Sequence, residues 1–208
     1  MSNFSTKGRG RSWLFGSSGC IGLAAFRAVK ENPQSKVFRE PLEPVLDTIR
    51  RLHHMGFWVE IVTLLIPGFN DSPDEIARLT AFVADVSPDI PWHVTAFHGD
   101  YKMTDPGNTT ADMLLGAAAI GRHAGLRYVY AGNLPGAVGD LENTRCASCG
   151  ETLIARHGYF IRDYRLTADG CCPSCAQPVP GRWGQRFDGQ IASKPFLPGS
   201  RSRLSVVS

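Results

Sequence analysis

Four of the six cysteines in this 208-residue chain come as two Cys-x-x-Cys pairs, Cys146-Ala-Ser-Cys149 and Cys172-Pro-Ser-Cys175, with 22 residues between the pairs. Each pair can present two thiolates to one ion from a tight turn, and two such turns complete the closed tetrahedral shell that structural zinc prefers. We therefore read Cys146, Cys149, Cys172 and Cys175 as metal ligands and zinc as a structural cofactor. Two disulfides suit a secreted framework better than these spacings, and a redox Cys-x-x-Cys usually opens a helix. An iron–sulfur cluster on the same four thiolates is less usual for a hairpin module. Cys171, beside Cys172, competes for the fourth place; spacing favours Cys172. Cys20 stands alone with no neighbouring base and reads as a small apolar residue.

The elements that must position those thiols can be read in the same residues. Between the pairs, TLIARHGYFIRDYRLT alternates apolar and polar side chains around His157-Gly158, which predicts a β-hairpin. A module of about forty residues has little core of its own, so the metal would supply much of its stability.

Upstream, the pattern changes from period two to helices alternating with strands. Val45, Leu46, Ile49, Leu52 and Met55 share one helical face, closed by Gly56; His53 and His54 fall in its last turn and receive no chemical role. Phe57–Ile66 is apolar and β-branched, as in a strand covered on both faces. Pro67-Gly68 ends it, and Ser72-Pro73-Asp74-Glu75 reads as cap, first helical residue and capping-box carboxylate of a second helix. Trp92–His98 is a second strand; Thr109 or Thr110 caps a third helix running to about His123, and Leu126–Ala131 is a third strand. Functional groups gather outside the carboxyl ends of parallel strands, where Pro67–Asp71 and His98–Met103 fall. His98 offers a donor to a carboxylate or ribose there, though a loop histidine bonded to backbone explains it equally. Gly68 permits close backbone approach to a ligand. Asp100, Tyr101 and Lys102 either line the same mouth or form a solvated turn, Asn133 reads as a turn former, and Glu60 needs a partner or a wetter inner face.

Hydrophobic content of 43% and charged content of 20% are those of a globular protein. No apolar run approaches the ~20 residues of a membrane-spanning helix, so no membrane partner is expected, and the paired thiols suit the cytoplasm. The formal charge of +3 belongs to the ends: residues 41–183 carry eleven basic against sixteen acidic residues, which disfavours nucleic acid as a partner. The expected organisation is an ill-defined segment 1–40, with Trp13–Phe15 as a short strand and Ile21–Val29 as a helix. A partial (β/α) barrel of parallel strands over 41–140 follows, then a four-cysteine zinc ribbon over 141–183 and a disordered basic tail over 184–208. A closed (β/α)8 barrel takes ~250 residues, so an open segment should expose strand edges and self-associate.

TLLIPGFND, WHVTAFHGDYKMTDP and GLRYVYAGNLPG, followed by a four-cysteine ribbon closing at Gly181-Arg182-Trp183, resemble the carboxyl-terminal half of a radical S-adenosylmethionine (SAM) enzyme. More narrowly, the chain resembles the AmmeMemoRadiSam-system branch, relatives of the pyruvate formate-lyase activating enzymes, from about Pro41 to Trp183. The resemblance implies a (β/α)6 partial barrel whose 4Fe–4S cluster reduces SAM to methionine and a 5′-deoxyadenosyl radical, which abstracts hydrogen from a substrate. It implies that His98 contacts bound SAM and that Pro67 and Gly68 lie in the loop beside the cofactor. The family's cluster motif, Cys-x-x-x-Cys-x-x-Cys, is absent from this sequence. The expected function is therefore a carboxyl-terminal radical SAM fragment, inactive alone and dependent on a missing amino-terminal half or a partner protein. The alternative is a non-catalytic zinc-ribbon scaffold that binds a partner.

Overall fold

The computed structural model describes residues 42–100 and 107–183, together with the backbone of 20–24. The expectations for Trp13–Phe15, Tyr101, Lys102 and the 184–208 tail lie outside these residues. Where a helix was expected from Ile21, the backbone of Cys20–Ala24 forms a strand, β1. Its ladder to the next strand outweighs a weak helical pattern that no cap reinforces.

Helix α1, Leu42–His54, ends as its composition dictates: Gly56 takes a positive φ of 79° while its N–H and that of Phe57 bond back to His53 and Leu52. Strand β2, Trp58–Leu65, follows. Helix α2, Pro73–Val86, begins behind Ser72, but the Ser72 hydroxyl makes no cap bond. The Ser72 carbonyl instead accepts from the N–H groups of Glu75 and Ile76, and Glu75 is buried in the first turn. Strand β3 is Trp92–Ala96, and α3 is Ala111–His123, capped by the Thr110 hydroxyl, which accepts from the Met113 N–H. Strand β4, Val129–Gly132, completes a four-stranded sheet in the order β1-β2-β3-β4, every pairing parallel. A separate antiparallel sheet carries β5 (Thr144–Arg145), β6 (Thr152–His157) and β7 (Phe160–Tyr164), the last two forming a hairpin across Gly158-Tyr159. Among the described residues no helix is long and apolar enough to cross a membrane.

The expectation that the first long strand is covered on both faces is corrected. Val59, Ile61, Thr63 and Leu65 are buried, whereas Trp58, Glu60 and Val62 are half-buried and Leu64 is exposed. The buried set joins Trp92, Val94, Val129 and Ala131 in one core with Ile49 of α1, Ile76, Leu79 and Val83 of α2, and Leu114 and Ala117 of α3. The helices thus back one face of the sheet. Trp92 is wholly buried there, its indole N–H donating to the Thr63 hydroxyl at 2.9 Å. The opposite face carries Glu60, His93, Thr95 and Tyr130, and the antiparallel module meets it.

Candidate functional site

The four thiols converge. The Sγ atoms of Cys146, Cys149, Cys172 and Cys175 all lie within 4.8 Å of one another, with Cys146–Cys175 and Cys149–Cys172 each at 3.6 Å and no disulfide formed. Two turns of the same construction hold them. In the first, the Cys146 N–H donates to Glu151 O and Gly150 N–H to Cys146 O; in the second, Cys172 N–H donates to Gln177 O and Ala176 N–H to Cys172 O. The residue after each second cysteine is left-handed, Gly150 at φ 76° and Ala176 at φ 58°. Cys172 turns into the quartet; the Cys171 sulfur stays outside it, its sulfur–oxygen contact being to Asp169 O at 3.9 Å.

The electrostatics suit a cation. Burial opposes the Cys172 thiolate, but the backbone N–H groups of Cys175 and Ser174 and the neighbouring sulfurs bring its pKa down to about 7. A backbone hydrogen bond at Glu151 favours the Cys149 thiolate, yet the crowding sulfurs of Cys175, Cys172 and Cys146 push its pKa up to about 12. A metal ion such as zinc would replace the remaining protons and satisfy all four sulfurs at once.

The module shares a core with the sheet. Tyr128, just before β4, is buried with Cys146, Leu153, Ile154, Leu166, Cys172 and Val179. The Tyr130 hydroxyl lies 3.0 Å from the Thr144 hydroxyl, and Arg156 donates to that same oxygen at 2.7 Å. Glu142 accepts the backbone N–H groups of Gly136 and Gly158, clamping the loop after β4 to the hairpin turn. Arg182 donates to Gly56 O at 3.1 Å, fastening the far end of the module to the turn before β2.

Between module and sheet lies a cleft of about 390 Å³. On its floor Glu60 accepts the Trp58 indole N–H at 2.8 Å and approaches His93 Nε2 to 3.2 Å, ion-pair range though poorly aligned for a hydrogen bond. His93 stacks on Tyr130 with ring centroids 4.9 Å apart. The His93 contact, helped by the Trp58 N–H and opposed by burial, holds the Glu60 carboxyl below its usual range; burial raises Tyr130 and takes Tyr128 to about 12.

The predicted cofactor residues lie elsewhere. His98 stands past the end of β3 and is exposed, Gly68 is exposed at φ 71°, and Pro67 is half-buried; none of the three lines the cleft. Their segments are nevertheless tied together at the carboxyl edge of the sheet. Asn70, buried, accepts from Ile66 N–H and donates to Leu64 O, while Gly68 N–H donates to Asp71 at 2.9 Å. Thr109, also buried, donates to Leu65 O and accepts from Phe97 N–H, joining the ends of β2 and β3. Asn133, at φ 66°, adds a bond to Ala96 O beyond its turn role. Of the Glu60–His93–Tyr130 group, Glu60 was legible in the sequence as needing a partner or a wetter inner face, but His93 and Tyr130 were missed. Their signal was present: polar residues at alternate positions of WVEIV, WHVTA and VYA mark one wet face.

One relative emerges from comparison with known proteins. An uncharacterized protein of the archaeon Methanocaldococcus jannaschii is 42% identical over 146 residues, covering 69% of this chain and 43% of the relative. The matched region thus spans less than half the length of that protein. No protein-family model and no solved structure matches the chain.

Proposed function

We propose that this chain is the carboxyl-terminal, cofactor-facing portion of a radical SAM enzyme, a partial (β/α) barrel braced by a structural zinc ribbon, and that it does not cleave SAM by itself. The observation that carries this reading is the parallel strand–helix–strand unit whose β2 and β3 ends are joined at the carboxyl edge by Thr109, which donates to Leu65 O and accepts from Phe97 N–H. Ligands of parallel α/β sheets bind at that edge. The much longer archaeal relative is consistent with a larger functional unit.

The four thiolates fit zinc in a closed shell and leave no open coordination position for chemistry. A 4Fe–4S cluster of the radical SAM type does not fit this chain: the sequence has no Cys-x-x-x-Cys-x-x-Cys, and moving ribbon thiols to serve it would dismantle the quartet. No catalytic step is therefore assigned to residues of this chain. In the proposed assembly the carboxyl-edge loops would hold SAM, with His98 as a donor to it and Gly68 allowing close approach.

Anaerobic treatment with iron, sulfide and SAM tests the reading. The chain alone should develop no 4Fe–4S absorbance and release no 5′-deoxyadenosine. Co-expressed with a polypeptide carrying Cys-x-x-x-Cys-x-x-Cys, it should do both, and His98→Ala should raise the SAM concentration required. A cluster on the isolated chain would overturn the division of labour. Stable association without SAM cleavage would favour a non-catalytic zinc-ribbon scaffold instead.

A further inference from the structure

We propose that the cleft between the parallel sheet and the cysteine module binds a small organic cation with a flat or apolar body, its charge set against Glu60. This inference rests on the cleft alone and stands or falls separately from the radical SAM reading. The site is also separate in space. Glu60 is the third residue of the eight in β2, five residues from its end, so it lies roughly 16 Å before the carboxyl edge.

At about 390 Å³ the cavity falls in the range of small-molecule sites. Its walls are largely aromatic: Trp58, Tyr128, Tyr130 and Trp183 line it, and Tyr159 at the hairpin tip stands beside it 95% exposed. Ring faces attract cations, most strongly where water is displaced.

The charges decide the sign of the occupant. Glu142 is committed to the two N–H groups of the Gly136–Gly158 clamp. Arg156 is committed to the Thr144 hydroxyl and the Glu142 carbonyl, with its guanidinium 6.0 Å from the Tyr130 ring centroid. Glu60 is different. It is held ionised, and its side chain remains 41% exposed. The Trp58 N–H and the His93 contact occupy part of its capacity, and a carboxylate accepts about four hydrogen bonds. With His93 neutral, the two acids Glu60 and Glu142 against Arg156 leave a net negative cleft, which favours an ammonium over an anion.

Tryptophan fluorescence of the zinc-loaded full chain, titrated with benzylammonium, benzyl alcohol and benzoate, tests the idea. Benzylammonium should bind saturably and at least about tenfold more tightly than either competitor, the equivalent of about 1.4 kcal/mol. Glu60→Gln should remove most of that preference. Tyr159→Ala, a change at an exposed tip, should weaken benzylammonium a few-fold while zinc content stays at wild type, and it carries the test if Glu60→Gln fails to fold. Preference for benzoate would make the cleft an anion seat centred on Arg156 and His93. That result, absence of saturation, or unchanged selectivity in a folded Glu60→Gln protein would each overturn the proposal.

Discussion

Each thiol of the quartet has its own setting: Cys146 and Cys172 are buried, Cys175 is half-buried and Cys149 is exposed. Cys171 is the natural control for them, since it neighbours Cys172 in sequence yet its sulfur lies outside the quartet. Zinc measured on the purified protein should stay near one ion per chain in Cys171→Ser and fall well below that in Cys172→Ser. Equal loss in both variants would mean the two thiols exchange roles. Glu60 makes a second prediction. Its pKa is lowered in the folded protein, so its contribution is present above the unfolded carboxylate value and disappears as pH falls through the folded one. Because the side chain is 41% exposed, solvent screening keeps the contribution small. Glu60→Gln should cost about 0.5–1 kcal/mol at neutral pH, shrinking towards zero below pH about 4, as read from urea midpoints across pH. A pH-independent loss would assign the effect to packing.

Helix α3 reaches the sheet through Gly121. A Cβ there would lie 2.6 Å from Trp92, whose ring is wholly buried and pinned by its bond to Thr63. Alanine favours a helix over glycine by about 1 kcal/mol, while overpacking a core costs about 1–3 kcal/mol. The ring cannot yield, so the clash wins: Gly121→Ala should lower the urea midpoint, and Gly121→Ala with Trp92→Phe should recover part of the loss. Nothing about Gly121 was legible in the sequence, because a close approach is a property of two elements and not of one. Local signals were another matter. Gly56 as a helix stop, a cap at Thr109 or Thr110 (Thr110 in the structure) and a hairpin turn around His157-Gly158, which falls one residue on at Gly158-Tyr159, were readable because each acts within a few residues of itself. The paired thiols were readable for the same reason, since metal geometry fixes spacing. The His93–Glu60 contact joins two strands, so Glu60 announced the need for a partner but not that His93 would be it. Cys20–Ala24 failed for a related cause, its state being set by its partner β2.

The two sheets are bound to one another by a shared core at Tyr128 and by the Tyr130–Thr144–Arg156 bonds, yet they differ in what sustains them. The parallel sheet has a continuous apolar core backed by three helices. The cysteine module has a handful of buried side chains, two of which are Cys146 and Cys172 themselves. Structural zinc contributes about 10–16 kcal/mol of binding free energy, far more than a core of that size supplies. Removing the ion should therefore unfold the module and leave the helices standing. Titration with a strong chelator should preserve most of the helical circular dichroism while tryptophan fluorescence shifts, since Trp58 and Trp183 both border the cleft. Amide exchange should accelerate at Leu153 and Ile154 but not at Val94 or Leu114. The sheet face bearing Glu60, His93 and Tyr130 would lose its cover, so binding of a hydrophobic dye and self-association should rise together. Re-addition of zinc should reverse all of these changes. One cooperative loss of both sheets would show instead that the Tyr128 contact makes them a single folding unit, and an unchanged fluorescence would mean that the module holds its shape without the ion.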